Sequence, residues 1–166
     1  EDLDPGCCIL AVDQSSQRIA GSCFFHPRET HISLGIMNVH PDAMGQKIAS
    51  RLLAHITCMA DAQQKPVRLV SSALNLDSFS LYTRAGFVPR TAYQDMILSV
   101  PDSGIDFAPT DLDLVRTATL EDVSSMVALE MELNQISREK DFRYFIENKS
   151  GIWHVSVLEN ETGTLD

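Results

Sequence analysis

Asn75-Leu76-Asp77-Ser78-Phe79-Ser80-Leu81-Tyr82-Thr83-Arg84-Ala85-Gly86-Phe87 reads as a short helix with both ends marked. Asn75 or Asp77 supplies an N-cap oxygen, and Gly86 stops the helix. Just upstream, Pro66 precedes Val67-Arg68-Leu69-Val70, a compact apolar strand suited to a buried parallel position. Farther upstream the segment 45–62 is helical, because Ile48, Leu52, Ile56 and Met59 recur at steps of four, four and three on one face. Before it, 30–39 is a strand. Cys8–Val12 and Arg18–Phe25 form a hairpin around the turn-like Asp13-Gln14-Ser15-Ser16. Downstream, 87–100 supplies one or two more strands. The decisive helix therefore sits inside an alternation of strands and helices.

Residues 101–111 (PDSGIDFAPTD) read as a linker, and the pattern then restarts. Residues 112–117 are a strand, Thr119-Leu120-Glu121-Asp122 opens a helix with an approximate capping box, and Val123, Met126, Val127 and Leu133 continue it. A helix around 140–147 and a strand over 153–158 follow, and Asn160-Glu161-Thr162-Gly163 is a turn. The order ββ(β)αβαββ, linker, βααβ predicts an α/β (α+β) protein with a mixed sheet.

The 166 residues suffice for one good core, or one core plus part of another. A net charge of -10 argues against a nucleic-acid or anionic-membrane surface and suits a cationic amine partner. No apolar run approaches the roughly 20 residues of a membrane span, and no signal peptide is visible. Cys7, Cys8, Cys23 and Cys58 lack metal-ligand spacing and read as reduced thiols of a cytoplasmic protein. The chain opens on Glu1, as a segment of a longer protein would.

Val39-His40-Pro41-Asp42-Ala43-Met44-Gly45-Gln46-Lys47-Ile48-Ala49 lies where a strand hands over to a helix. A helix start offers unpaired N–H groups and the positive dipole end, which together suit phosphate oxygens. Here the chain resembles the GNAT superfamily of N-acetyltransferases, whose first signature runs Val-x-Pro, Arg or Gln, two residues, Gly, one residue, Gly or Ala. Val39, Pro41 and Ala49 match, whereas Met44 replaces Arg or Gln and Lys47 replaces the central Gly. The second signature (Asn, two residues, Ala or Ser, Leu-Tyr after two more, then Gly-Phe) matches at Asn75, Ser78, Leu81, Tyr82, Gly86 and Phe87.

The resemblance implies the acyl-CoA N-acyltransferase fold, in which two central parallel strands splay and acyl-pantetheine lies in the gap. It implies acetyl-CoA as co-substrate, no metal, and an amine of small-molecule or peptide type as acceptor. Pyrophosphate would meet Met44, Gly45, Lys47, Ile48 and Ala49. Main-chain groups of Met37, Asn38 and Val39, on a strand that usually carries a bulge, would meet the thioester and pantetheine. Asn75 and Ser78 would lie on the cofactor arm. Tyr82 would point at the sulfur as general acid, since a phenol with a reference pKa near 10 keeps its proton at neutral pH. For the base, Glu29, His31 and His40 are the nearest ionisable groups, His31 being preferred for its pKa class.

A complete GNAT domain opens with a strand and two helices, which this chain shows only after the linker. Residues 1–100 thus read as a domain lacking its opening, and 112–166 as the opening of a second domain or as the completion of the first. The outer strands of such a sheet lie about 29 Å apart at about 4.8 Å per strand. The linker reaches at most about 36–40 Å. Completion within one chain would need a nearly straight linker, so the tandem arrangement is favoured, with completion within the chain, or by exchange between two chains as a homodimer, as the other route. Two functions follow: direct acetyl transfer to an amine, or a catalytically degenerate CoA-binding or scaffold domain.

Overall fold

Gly21, Cys23 and Phe25 are buried while their neighbours are not, and this period of two fixes the face that their strand turns to the core. The computed structural model describes residues 2–105, 114–160 and 165. Strands β1 (Cys8–Val12), β2 (Ile19–Pro27) and β3 (Ile32–Val39) form an antiparallel meander. The β1–β2 turn is an Asx turn: the Asp13 carboxylate accepts from the Ser15 and Ser16 N–H groups at 2.9 and 2.7 Å. Helix α1 (Ile48–Ala62) crosses over to β4 (Val67–Arg68), which lies parallel to β3, and the sheet order is β1-β2-β3-β4. This is a mixed α/β architecture, as the alternation predicts.

Helix α1 buries Leu52, Leu53, Ile56 and Ala60 against Cys23, Phe25, Ile32 and Leu34. Gly21 allows this close approach, since a Cβ there would stand 2.9 Å from both the Asn38 carbonyl oxygen and Ile48 Cγ2. Helix α2 (Leu76–Arg84) packs Leu81 and Tyr82 on the same core.

Two irregularities in β3 shape the site. Cys23 lies opposite Met37 but Phe25 lies opposite Leu34, so two steps along β2 match three along β3. The extra residue is a bulge at Gly35-Ile36. On its other side, β3 pairs with β4 only at Ile32–Val67 and Ser33–Arg68. Beyond those pairs the two parallel strands part.

Several boundaries differ from the sequence reading. Helix α1 begins at Ile48 rather than Gly45, because Gly45 (φ +77°) and Lys47 (φ +61°) leave the right-handed helical region. Strand β4 ends at Arg68 rather than Val70, where the splay removes its ladder. Residues 87–100 form no strand, and Met96, Ile97 and Leu98 are exposed. A strand needs a hydrogen-bonding neighbour, and the short β4 offers none at that level.

In the C-terminal part, β5 (Val115–Thr117) pairs antiparallel with β6 (Ser156–Leu158) as a separate two-stranded sheet. Helices α3 (Val123–Asn134) and α4 (Glu139–Glu147) lie between them in sequence. The Thr119–Asp122 capping box is present on the 3-10 turn ahead of α3, and the Asp122 carboxylate also takes Arg116 at 2.6 and 2.8 Å. Trp153 falls outside β6, because the Asn148 side chain brackets its N–H and C=O at 2.9 and 2.7 Å. Most of the expected linker (106–111), Leu112 and the turn at 161–163 lie outside the described residues. No helix among the described residues is long and apolar enough to cross a membrane.

Candidate active site

The β3–α1 junction is built by caps and positive φ angles. The His40 Nδ1 accepts from the Asp42 N–H at 3.2 Å and caps the 3-10 turn Pro41–Ala43. The chain then passes through Gly45 and Lys47 with positive φ before α1 begins. Among the described residues, the N–H groups of Gly45, Gln46 and Lys47 donate to no protein acceptor. Left-handed residues in such a loop can turn neighbouring N–H groups to one side, as in an anion-binding nest, and the N-terminus of α1 adds its positive dipole end. Gly45, Lys47, Ile48 and Ala49 thus lie together at one helix start. Met44 is 65% exposed and offers no polar group there.

Lys47 also explains why a glycine suits its position. A left-handed conformation costs an L residue about 1–2 kcal/mol, and glycine much less. Lys47→Gly is expected to raise unfolding stability by about 1 kcal/mol in urea titration, because it relieves that conformation without removing a buried contact. Equal or lower stability would show that the Lys47 backbone carries no such cost.

Among the described residues, the parting of β3 and β4 leaves the side of Leu34–Val39 that faces away from β2 without a strand partner. Met37 and Leu69 flank this gap and, with Tyr82, pack at the margin of the core. The Tyr82 ring stands 5.8 Å from that of Phe87. Its hydroxyl has no hydrogen-bond partner among the described residues and is not sealed from solvent. Burial, and secondarily the Cys23 thiol, push its pKa above the ordinary value of 10.0. Tyr82 therefore holds a free proton at neutral pH. Asn75 is the N-cap of α2, its Oδ1 accepting from the Ser78 N–H at 3.1 Å. That bond commits the oxygen and leaves the amide NH₂ free to donate.

The three candidate bases lie elsewhere. His31 is 2% exposed, with Nδ1 3.1 Å from Thr30 Oγ1 and Nε2 3.4 Å from Ser33 Oγ. Burial, then the cations Arg68, Arg28 and Arg138, lower its pKa. It sits six residues before Met37, about 20 Å away along the strand at about 3.3 Å per residue. Glu29 is in the β2–β3 turn and accepts from Ser137 Oγ at 3.3 Å. His40 serves as a cap. None of the three is brought to Tyr82. Two contributors escaped the sequence reading. Cys23 lies close enough to Tyr82 to affect its titration, and Gly35 forms the bulge, where a Cβ would meet His26 Nε2 at 2.9 Å. The mid-strand glycine was the available signal for the second; the first had none.

Among the described residues there is no His, Cys, Asp and Glu group arranged to hold a metal. The profile of the acetyltransferase (GNAT) domain matches residues 4–89, more than half of the chain. The chain belongs to the GNAT acetyltransferase family. No protein of curated function matches it. Solved structures similar to it include a probable acetyltransferase (24% identity, covering 57% of this chain and 68% of that one, TM-score 0.47). A Trypanosoma brucei acetyltransferase is 22% identical over 56% of this chain and 68% of its own, with a TM-score of 0.44. A ribosomal-protein-alanine N-acetyltransferase from Brucella melitensis biovar Abortus is 15% identical over 55% and 69%, also at 0.44. The chain thus spans about two thirds of the length of these proteins. In this GNAT chain the matched region holds the bulged strand, the strand parting, the α1 junction and Tyr82.

Proposed function

We propose that the GNAT domain of this chain is an acetyl-CoA-dependent N-acetyltransferase acting on a primary amine by direct attack. The observation that carries this reading is the Tyr82 hydroxyl, without a hydrogen-bond partner among the described residues, on a side chain that packs against the same core as Met37 of β3 and Leu69 just beyond β4. Acetyl-CoA supplies an activated thioester carbonyl. The free N–H groups of Gly45, Gln46 and Lys47 would take its pyrophosphate, with Ile48 and Ala49 at the helix start and the Lys47 ammonium adding charge. The unpaired edge of Met37 to Val39 would hold its amide arm, and the Asn75 NH₂ would donate to that arm beside Ser78. As the amine nitrogen bonds to the acetyl carbon and the C–S bond breaks, Tyr82 would give its proton to the departing sulfur, and the proton released by the nitrogen would pass through water and restore the phenol. Most of the rate enhancement then comes from positioning and proton transfer.

Met44 and Lys47 favour a second reading, a GNAT-like CoA-binding or scaffold domain without turnover. Incubation with radiolabelled acetyl-CoA and a panel of primary amines separates the two. Protein-dependent labelling of an amine is expected from the enzyme; bound cofactor with no labelled amine would support the scaffold. The separate β5–β6 sheet and the strand–helix–helix–strand order after residue 114 support a tandem arrangement, in which this part opens a second GNAT domain. A cytoplasmic location accords with four unpaired cysteines.

A further inference from the structure

At the end of β3 opposite the α1 junction, a buried charge cluster joins the two parts of the chain. Its hub is Arg28, in the β2–β3 turn, with a side chain 4% exposed. Nε and Nη2 donate to Asp141 at 2.5 and 2.6 Å. Nη1 and Nη2 donate to Asp4 at 3.0 Å each, and Nη1 also donates to the Pro27 carbonyl at 2.7 Å. All five guanidinium donors are thereby used. Asp4 further takes Lys140 Nζ at 2.8 Å and faces His26 Nδ1 at 2.8 Å. Two carboxylates balance Arg28 and Lys140. The Arg28 carbonyl is itself fixed by Lys65 Nζ at 2.5 Å.

The cluster draws on three places in the chain. Asp4 precedes β1, Arg28 follows β2, and Lys140 with Asp141 lies in the first turn of α4. Around it, the Ser137 N–H donates to Thr30 Oγ1 at 3.0 Å and Arg68 donates to the Asn134 carbonyl at 3.3 Å. Burial alone would raise the Asp4 pKa. Hydrogen bonds from Arg28, Lys140 and His26 outweigh it and hold Asp4 well below the usual carboxylate range. A buried ion pair is poor evidence of net stability, but removing one member leaves its partner as an uncompensated buried charge. Helix α4 supplies both the acid that takes the two guanidinium donors left by Asp4 and Pro27 and the cation that offsets this added charge at Asp4.

We propose that this cluster is a latch that docks the α3–α4 part onto the GNAT domain, so that α4 stays ordered only while Arg28 is engaged. Amide hydrogen exchange on the full chain tests this by comparing α4 with α1. Asp141→Asn keeps the side-chain shape and removes the charge. Exchange over 142–147 is expected to accelerate by about tenfold or more, while 52–60 in α1 changes by less than about twofold. Arg28→Lys keeps a charge but loses the fork, and is expected to act in the same direction. Glu139→Gln, which breaks the exposed Glu139–Arg143 pair on the same helix, should leave both regions near wild type. Unchanged α4 exchange in Asp141→Asn and Arg28→Lys would overturn the proposal. So would equal acceleration of α1 and α4, which would make the cluster part of one core.

Discussion

Tyr82→Phe is expected to slow acetyl transfer by about 10²-fold while leaving acetyl-CoA affinity within about twofold, since general acid catalysis contributes roughly that much. The ring remains to pack against Phe87 and the core, so the substitution removes the proton donor and little else. The Tyr82 hydroxyl makes no bond within the described protein, so its loss leaves no buried partner unsatisfied. Stopped-flow or steady-state turnover on an accepted amine, with calorimetric affinity in parallel, gives the split. Unchanged turnover would remove Tyr82 from the chemistry. A large loss of affinity with unchanged turnover would make it a binding residue.

The second large effect concerns the core that positions the site. Ile56 is 0% exposed, at the centre of the α1 face that covers β2 and β3. Ile56→Ala is expected to cost about 2–5 kcal/mol, the range for deleting a buried aliphatic side chain where the surroundings relax only in part. Ile97→Ala is the contrast. Ile97 is 96% exposed in the segment that forms no strand, and its truncation should lie within about 0.5 kcal/mol of wild type. Urea unfolding of both variants decides the matter. A cost above 1 kcal/mol at Ile97, by order of magnitude, would mean that 87–100 packs in solution.

The hairpin, the β3–α1–β4 crossover and α2 were legible because each rests on a local signal. Alternation marks β2, a three-to-four step marks α1, and Asn75 and Gly86 bracket α2. The expectation of strands over 87–100 failed because apolar, β-prone residues say nothing of whether a neighbouring edge exists. The late start of α1 was hidden for a related reason, since helical periodicity continues through Gly45 and Lys47 although their φ angles do not. Within the site, Tyr82 and the junction residues come from the resemblance of Asn75–Phe87 and Val39–Ala49 to the GNAT signatures, and their roles belong to the proposal. The approach of Cys23 to Tyr82 and the bulge at Gly35 depend on how strands and helices pack, which arises only on folding, whereas the distance of His31 from Met37 follows from the six residues between them. The Arg28 cluster joins positions more than a hundred residues apart in sequence, and no local pattern announces it.

Isothermal titration of the folded chain with acetyl-CoA decides whether the GNAT domain holds this co-substrate. Saturable binding at a single site is expected, retained in Tyr82→Phe and altered in Lys47→Gly. Absence of heat and of any shift in melting temperature, with protein shown to be folded, would contradict it.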